Sequence, residues 1–162
     1  MIKPTLARLS LALLLATTAC AASANDFIDR ASAAGVGQVE ASKQALAKTG
    51  YDDVKTYANV MIKDHTIINE QLAQLGQKLN IQVPAEAALA GKVKPMKPIA
   101  GKSWEASYAA NQVQVQTAVA ELFKDEANSS DVPELKAYAL ENLPTVNRHL
   151  KMAQRLLKTY KK

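Results

Sequence analysis

The chain has a single cysteine, Cys20, so it can build neither an internal disulfide nor a zinc–thiolate cluster. Glycine is scarce, at six residues, and aromatics make up only 5% of the chain. That composition argues against a sheet protein with many tight turns and against rows of aromatic side chains for base stacking. No Gly-rich phosphate loop, nucleophile elbow, paired-cysteine zinc pattern or His-Glu-x-x-His sequence occurs, which removes the common local signatures of nucleotide, serine-hydrolase and zinc-protease chemistry. What is abundant is Ala and Leu. Ala has no side-chain entropy to lose and Leu loses little in a helix, so an all-α chain is expected. At 162 residues the length suits one domain.

The first 24 residues differ from the rest. Lys3 and Arg8 precede an apolar run from Leu9 to Ala16, and Ala22-Ser23-Ala24 is a small-x-small cleavage signal. That order is a secretory signal peptide, with an apolar run too short to span a bilayer. The expectation is a leader over 1–24, cleavage after Ala24, and a mature domain over 25–162 that is periplasmic or secreted, with no transmembrane helix. The alternative is a lipoprotein anchored at Cys20, but Thr17 stands where such signals carry Leu. Removing Lys3 and Arg8 lowers the formal charge from +5 to +3, 18 basic against 15 acidic residues. The excess gathers in Arg148, Lys151, Arg155, Lys158, Lys161 and Lys162, where cations complement a helix C-terminus. No nucleic-acid partner is expected, and peripheral contact with an anionic surface is compatible with this charge.

Four segments carry helical periodicity. The first runs from about Asp26 to Lys48 and stops at Gly50. The second opens at Asp52 and Asp53, expected to cap it, and its stripe Val54, Ala58, Met61, Ile68, Leu72, Leu75, Leu79 is interrupted only by His65. The third should start at Ser103 and reach about Ala127. The fourth should start at Pro133 and continue, kinked, past Pro144. Short turns join segments one to two and three to four. Residues 80–102 between two and three contain three prolines, and about 20 extended residues can cover the roughly 40 Å length of a long helix. The fold expected is therefore a ferritin-like four-helix bundle, two antiparallel hairpins joined by a long crossover.

Glu40, His65, Gln116 and His149 fall near mid-height of the four segments and form the expected polar layer. Buried polar groups in bundles commonly do no more than fix register. They also include metal donors, and His65, His149 and Glu40 are the candidate set for a single transition-metal ion. A dinuclear centre is excluded by spacing, because Ile62 and Val146 stand three residues before the two histidines where Glu is required. Asp64 is expected to be a surface charge, since adjacent helical residues diverge by about 100°.

The run Val54-Lys55…Tyr57-Ala58…Met61…Asp64-His65, preceded by Glu40 and Ala47 and followed by Asn69 and Leu72, resembles the bacterial exported family catalogued as domain of unknown function 4142. Trp104-Glu105-x-x-Tyr108 and Leu143-Pro144-x4-His149-Leu150 extend the resemblance across the mature chain. It implies a ferritin-like fold and an extracytoplasmic location, and supplies no activity. The family usually has His where this chain has Gln116, which weakens a metal site here. The resulting expectation is a non-enzymatic envelope protein, linked to stress, that binds an unknown protein or small ligand and needs no cofactor. A mononuclear metal or redox protein is the alternative, and a structural or adhesive component the third reading.

Overall fold

The computed structural model describes residues 12–161, and these are all-helical. Four long helices, α1 (Ala12–Lys48), α2 (Asp52–Leu79), α4 (Trp104–Ser129) and α5 (Pro133–Tyr160), accompany a short α3 (Glu86–Ala90). Lys3, Arg8 and Lys162 lie outside the described residues. α1 starts well before the expected Asp26 and passes through Cys20 and Ala24. The apolar segment ahead of Asp26 is itself rich in Ala and Leu, and nothing between Ala12 and Gly35 breaks a helix. No helix among the described residues is long and apolar enough to cross a membrane.

The helix ends follow local chemistry. Ser103 accepts a hydrogen bond from Ala106 N–H at 3.1 Å and starts α4, and Pro133 occupies the first turn of α5. Asn80, at φ 54°, ends α2 in the left-handed conformation, and Ile81 N–H closes on Gly76 C=O at 2.8 Å. The expected caps of α2 differ. Tyr51 is the N-cap without a side-chain bond, and Asp52 and Asp53 sit one step inside the first turn, where they still favour the positive end of the dipole. α5 runs unbroken through Pro144, which is exposed to solvent.

α1 packs on α2 and α4 on α5, while α2 also meets α5 and α1 meets α4. Phe27 touches Phe123 at one end of the α1–α4 pair, and Thr49 bonds Glu105 at the other, so these helices are antiparallel. Tyr160 donates to Asp53 and Tyr138 to the Ile68 carbonyl, which makes α2 and α5 antiparallel as well. The connection from Asn80 to Ser103 begins beside Leu75 and Leu79, with Ile81 and Val83 partly buried there. It finishes at the other end, where Met96 N–H bonds Gln44 and Ile99 N–H bonds Ser107.

Two apolar clusters fill the interior. One holds Phe27, Ile28, Leu72, Phe123 and Leu135, and the other holds Val54, Tyr57, Met61, Tyr108 and Leu156. On every long helix buried polar residues lie between the clusters: Gln38 and Ser42 on α1, beside the apolar Val36 and Val39, His65 on α2, Gln112 and Gln116 on α4, and His149 on α5. The polar layer is thus a band across the core, flanked by hydrocarbon above and below.

Candidate functional site

His65 occupies the only polar position on the buried face of α2 and is 2% exposed. His149 is completely buried on α5. Their rings lie 5.1 Å apart between centroids, tilted by 40°. The two histidines thus lie side by side, and Gln116 on α4 is also fully buried. Gln116 Nε2 points to Met61 Sδ at 3.8 Å, one helical turn before His65. Beside them Tyr57 donates to Gln112 Oε1 at 3.0 Å and meets Tyr108 edge-on.

Glu40 does not join the layer. Its carboxylate takes the ammonium of Lys43 at 2.7 Å on the outer side of α1 and is 28% exposed. The reason is angular. Gln38 and Ser42 are separated by one helical turn and share the inward face, and Glu40, two residues from each, lies on the opposite side. α1 therefore contributes an amide and a hydroxyl at this height, and no carboxylate.

The carboxylate at the site is Asp64 instead. Its Oδ2 accepts from His149 Nε2 at 2.8 Å and from Arg148 Nη2 at 2.7 Å, and its side chain is only 16% exposed. The divergence of Asp64 from His65 along α2 is real, but it directs Asp64 into the seam with α5, where His149 meets it. A sequence signal existed, since the Asp64-His65 and Arg148-His149 pairs both join a charge to the stripe histidine. Reading it required knowing that α2 and α5 are neighbours.

Burial would raise the Asp64 carboxyl, yet the hydrogen bonds and charges of His149 and Arg148 outweigh it and hold the carboxyl below its ordinary value. Burial lowers the His65 pKa to about 3, with His149 adding to the effect. Burial also lowers His149, against the pull of Asp64. Both imidazoles are therefore neutral at pH 7. An ionised Asp64 can only accept, so the His149 proton sits on Nε2 and its lone pair on Nδ1.

Among the described residues, that Nδ1 has no partner, and neither do both ring nitrogens of His65, Gln116 Oε1, Gln38 Oε1 or Ser42 Oγ. Buried polar atoms without partners cost about 1–3 kcal/mol each, so so many in one band point to something small that completes the layer. The donor set does not fit a ferritin-type dinuclear centre, because Glu40 faces out and Ile62 and Val146 hold the positions where carboxylates are needed. No three His, Cys, Asp or Glu side chains among the described residues converge as a metal cage.

A family model described as "Domain of unknown function (DUF4142)" matches residues 12–156. No curated protein and no solved structure matches the chain.

Proposed function

The chain belongs to the DUF4142 family, and from that premise we propose that it is a non-enzymatic, exported bundle of ferritin-like connectivity that holds one soft, monovalent metal ion between His65 and His149. The observation that carries this reading is the oriented pair. Asp64 fixes the proton of His149 on Nε2, so its free Nδ1 is presented beside a neutral His65 whose nitrogens have no partner. Metal-binding histidines commonly give their second nitrogen to a carboxylate in this way.

The ring separation is compatible with a shared ion. A metal about 2.0 Å from each nitrogen lies roughly 3 Å from each centroid, and a tetrahedral angle then sets the centroids about 5 Å apart. Met61, buried one turn from His65, offers a thioether, and soft sulfur with imidazole selects Cu(I) among common metals. Charge favours the same choice. The inward donors are neutral, and the one nearby carboxylate is already paired with Arg148. A single positive charge costs far less to bury there than a double one.

Location follows the leader, with cleavage after Ala24 or, as the alternative, anchorage through Cys20. His65, Gln116 and His149 are each buried to within 2% of full enclosure, and this enclosure supports a binding role. The test is Cu(I) loading of tag-free protein against a chromophoric Cu(I) chelator, with Zn(II) in parallel. About one tightly held Cu(I), lost in His65→Ala and His149→Ala while both remain helical, is the expected result. Copper lost to the chelator as easily from the native protein as from the variants would end the proposal.

A further inference from the structure

We infer that a second, independent site lies between α1, α2 and the start of the long connection, and that it takes a small organic amine. A cavity of about 400 Å³ opens there, within the size range of small-molecule sites. Ser32 lines it from α1, is 5% exposed, and its Oγ has no partner. Asn69 lines it from α2, and both polar atoms of its amide are buried and unpaired. Among the described residues, two helices thus bring unpaired hydrogen-bonding side chains to its wall.

The surroundings are built to keep that space. Asn69 lies directly over Gly35, where any Cβ would collide with its Oδ1, so the glycine is what admits the amide. The far wall is held by Val83, seated against Gly76, where a Cβ would collide with it. These glycines make the cavity a consequence of sequence.

The lining selects by charge. Among the described residues Glu70 and Glu86 are its only charged lining, and no Lys or Arg contributes. An anion would meet two carboxylates without a counter-charge, while an ammonium gains both and can donate to Ser32 Oγ at the wall. Val36 and Val83 supply apolar wall for a short alkyl chain. The ligand class is therefore a primary alkylamine or diamine.

The probe is 1,5-diaminopentane, compared with 1-pentanol and pentanoate, titrated into ¹⁵N-labelled protein. Saturable shifts of the Asn69 side-chain amide with the diamine alone, and unmoved His65 signals, are expected. Affinity should fall about five- to ten-fold in a Glu70→Gln/Glu86→Gln double variant, whose exposed positions leave the fold intact, and again in Ser32→Val. Equal binding of pentanoate or pentanol, no saturable shift, or an unchanged affinity in these variants would overturn the inference. The metal-loading assay reads the other site, so either reading can fail without the other.

Discussion

Replacing His65 by Leu should change both the stability of the metal-free protein and its response to acid. The folded His65 titrates at about 3 against 6.5 for the free side chain. Between those values the unfolded chain binds one more proton than the folded one, so stability is complete above pH 6.5 and is lost as pH falls toward 3. The slope is about 1.4 kcal/mol per pH unit, so going from pH 7 to pH 5 should cost roughly 2 kcal/mol. For a chain of this size that is a fall of roughly 4–8 °C in Tm. His65→Leu deletes this contribution and leaves only the weaker one of His149, which Asp64 opposes. At pH 7 it also removes two buried ring nitrogens that have no partner, so the variant should be more stable by about 2 kcal/mol. Urea unfolding followed by circular dichroism at pH 7, 6 and 5, with a chelator present, measures both effects. If the Leu variant loses as much stability on acidification as the native protein, or is weaker at pH 7, the description of His65 as a buried, neutral and unsatisfied group is wrong.

Gly76→Val should detach the start of the long connection, because the new side chain collides with Val83 and approaches the Ile81 carbonyl. The expected cost is about 1–3 kcal/mol, read by thermal melting, with new proteolysis within 81–102. Asp64→Asn keeps an acceptor for His149 but removes the partner of Arg148. It should cost roughly 1 kcal/mol at pH 7. Since the Asp64 carboxyl is lowered on folding, its contribution is present above pH 3.8 and lost below, and the variant should lose that part of its acid sensitivity. Pro144→Ala restores the N–H that the Leu140 carbonyl lacks on an exposed face, and should stabilise α5 by about 1–3 kcal/mol, measured by urea unfolding. Export from a bacterial host should yield a protein beginning at Asn25 by intact mass. A diacylglycerol-modified Cys20 would support the lipoprotein route instead.

Features set by a few neighbouring residues were readable before the structure. Ser103, Pro133 and Asn80 sit at helix boundaries because capping and turn chemistry act over three or four residues. The stripe of α2 predicted its buried face, from Val54 to Leu72. α1 starts earlier than the expected Asp26 because the Ala- and Leu-rich composition that suggests a leader also favours a helix. Glu40 was chosen by height along its helix, and height leaves the angle around the axis open. Asp64 escaped for the converse reason. Its angle was read correctly, but its partners belong to a helix some 84 positions away, and only the packing of α2 against α5 brings them together. Periodicity describes one helix at a time, while a site is assembled from several.

The band of polar residues also divides the molecule mechanically. Each apolar cluster is closed by a different short turn, Thr49–Tyr51 beside the Tyr57 end and Ser130–Val132 beside the Phe123 end. Cohesion between hydrocarbon side chains thins at the band, where Val36 and Val39 of α1 are buried outside both clusters, so the helix backbones that cross it carry much of the connection between the two ends. One end can then loosen while the other stays packed. Amide protons at the two ends should exchange with separate opening energies, and an interior that looks sealed gains a way in through the fraying of half the molecule.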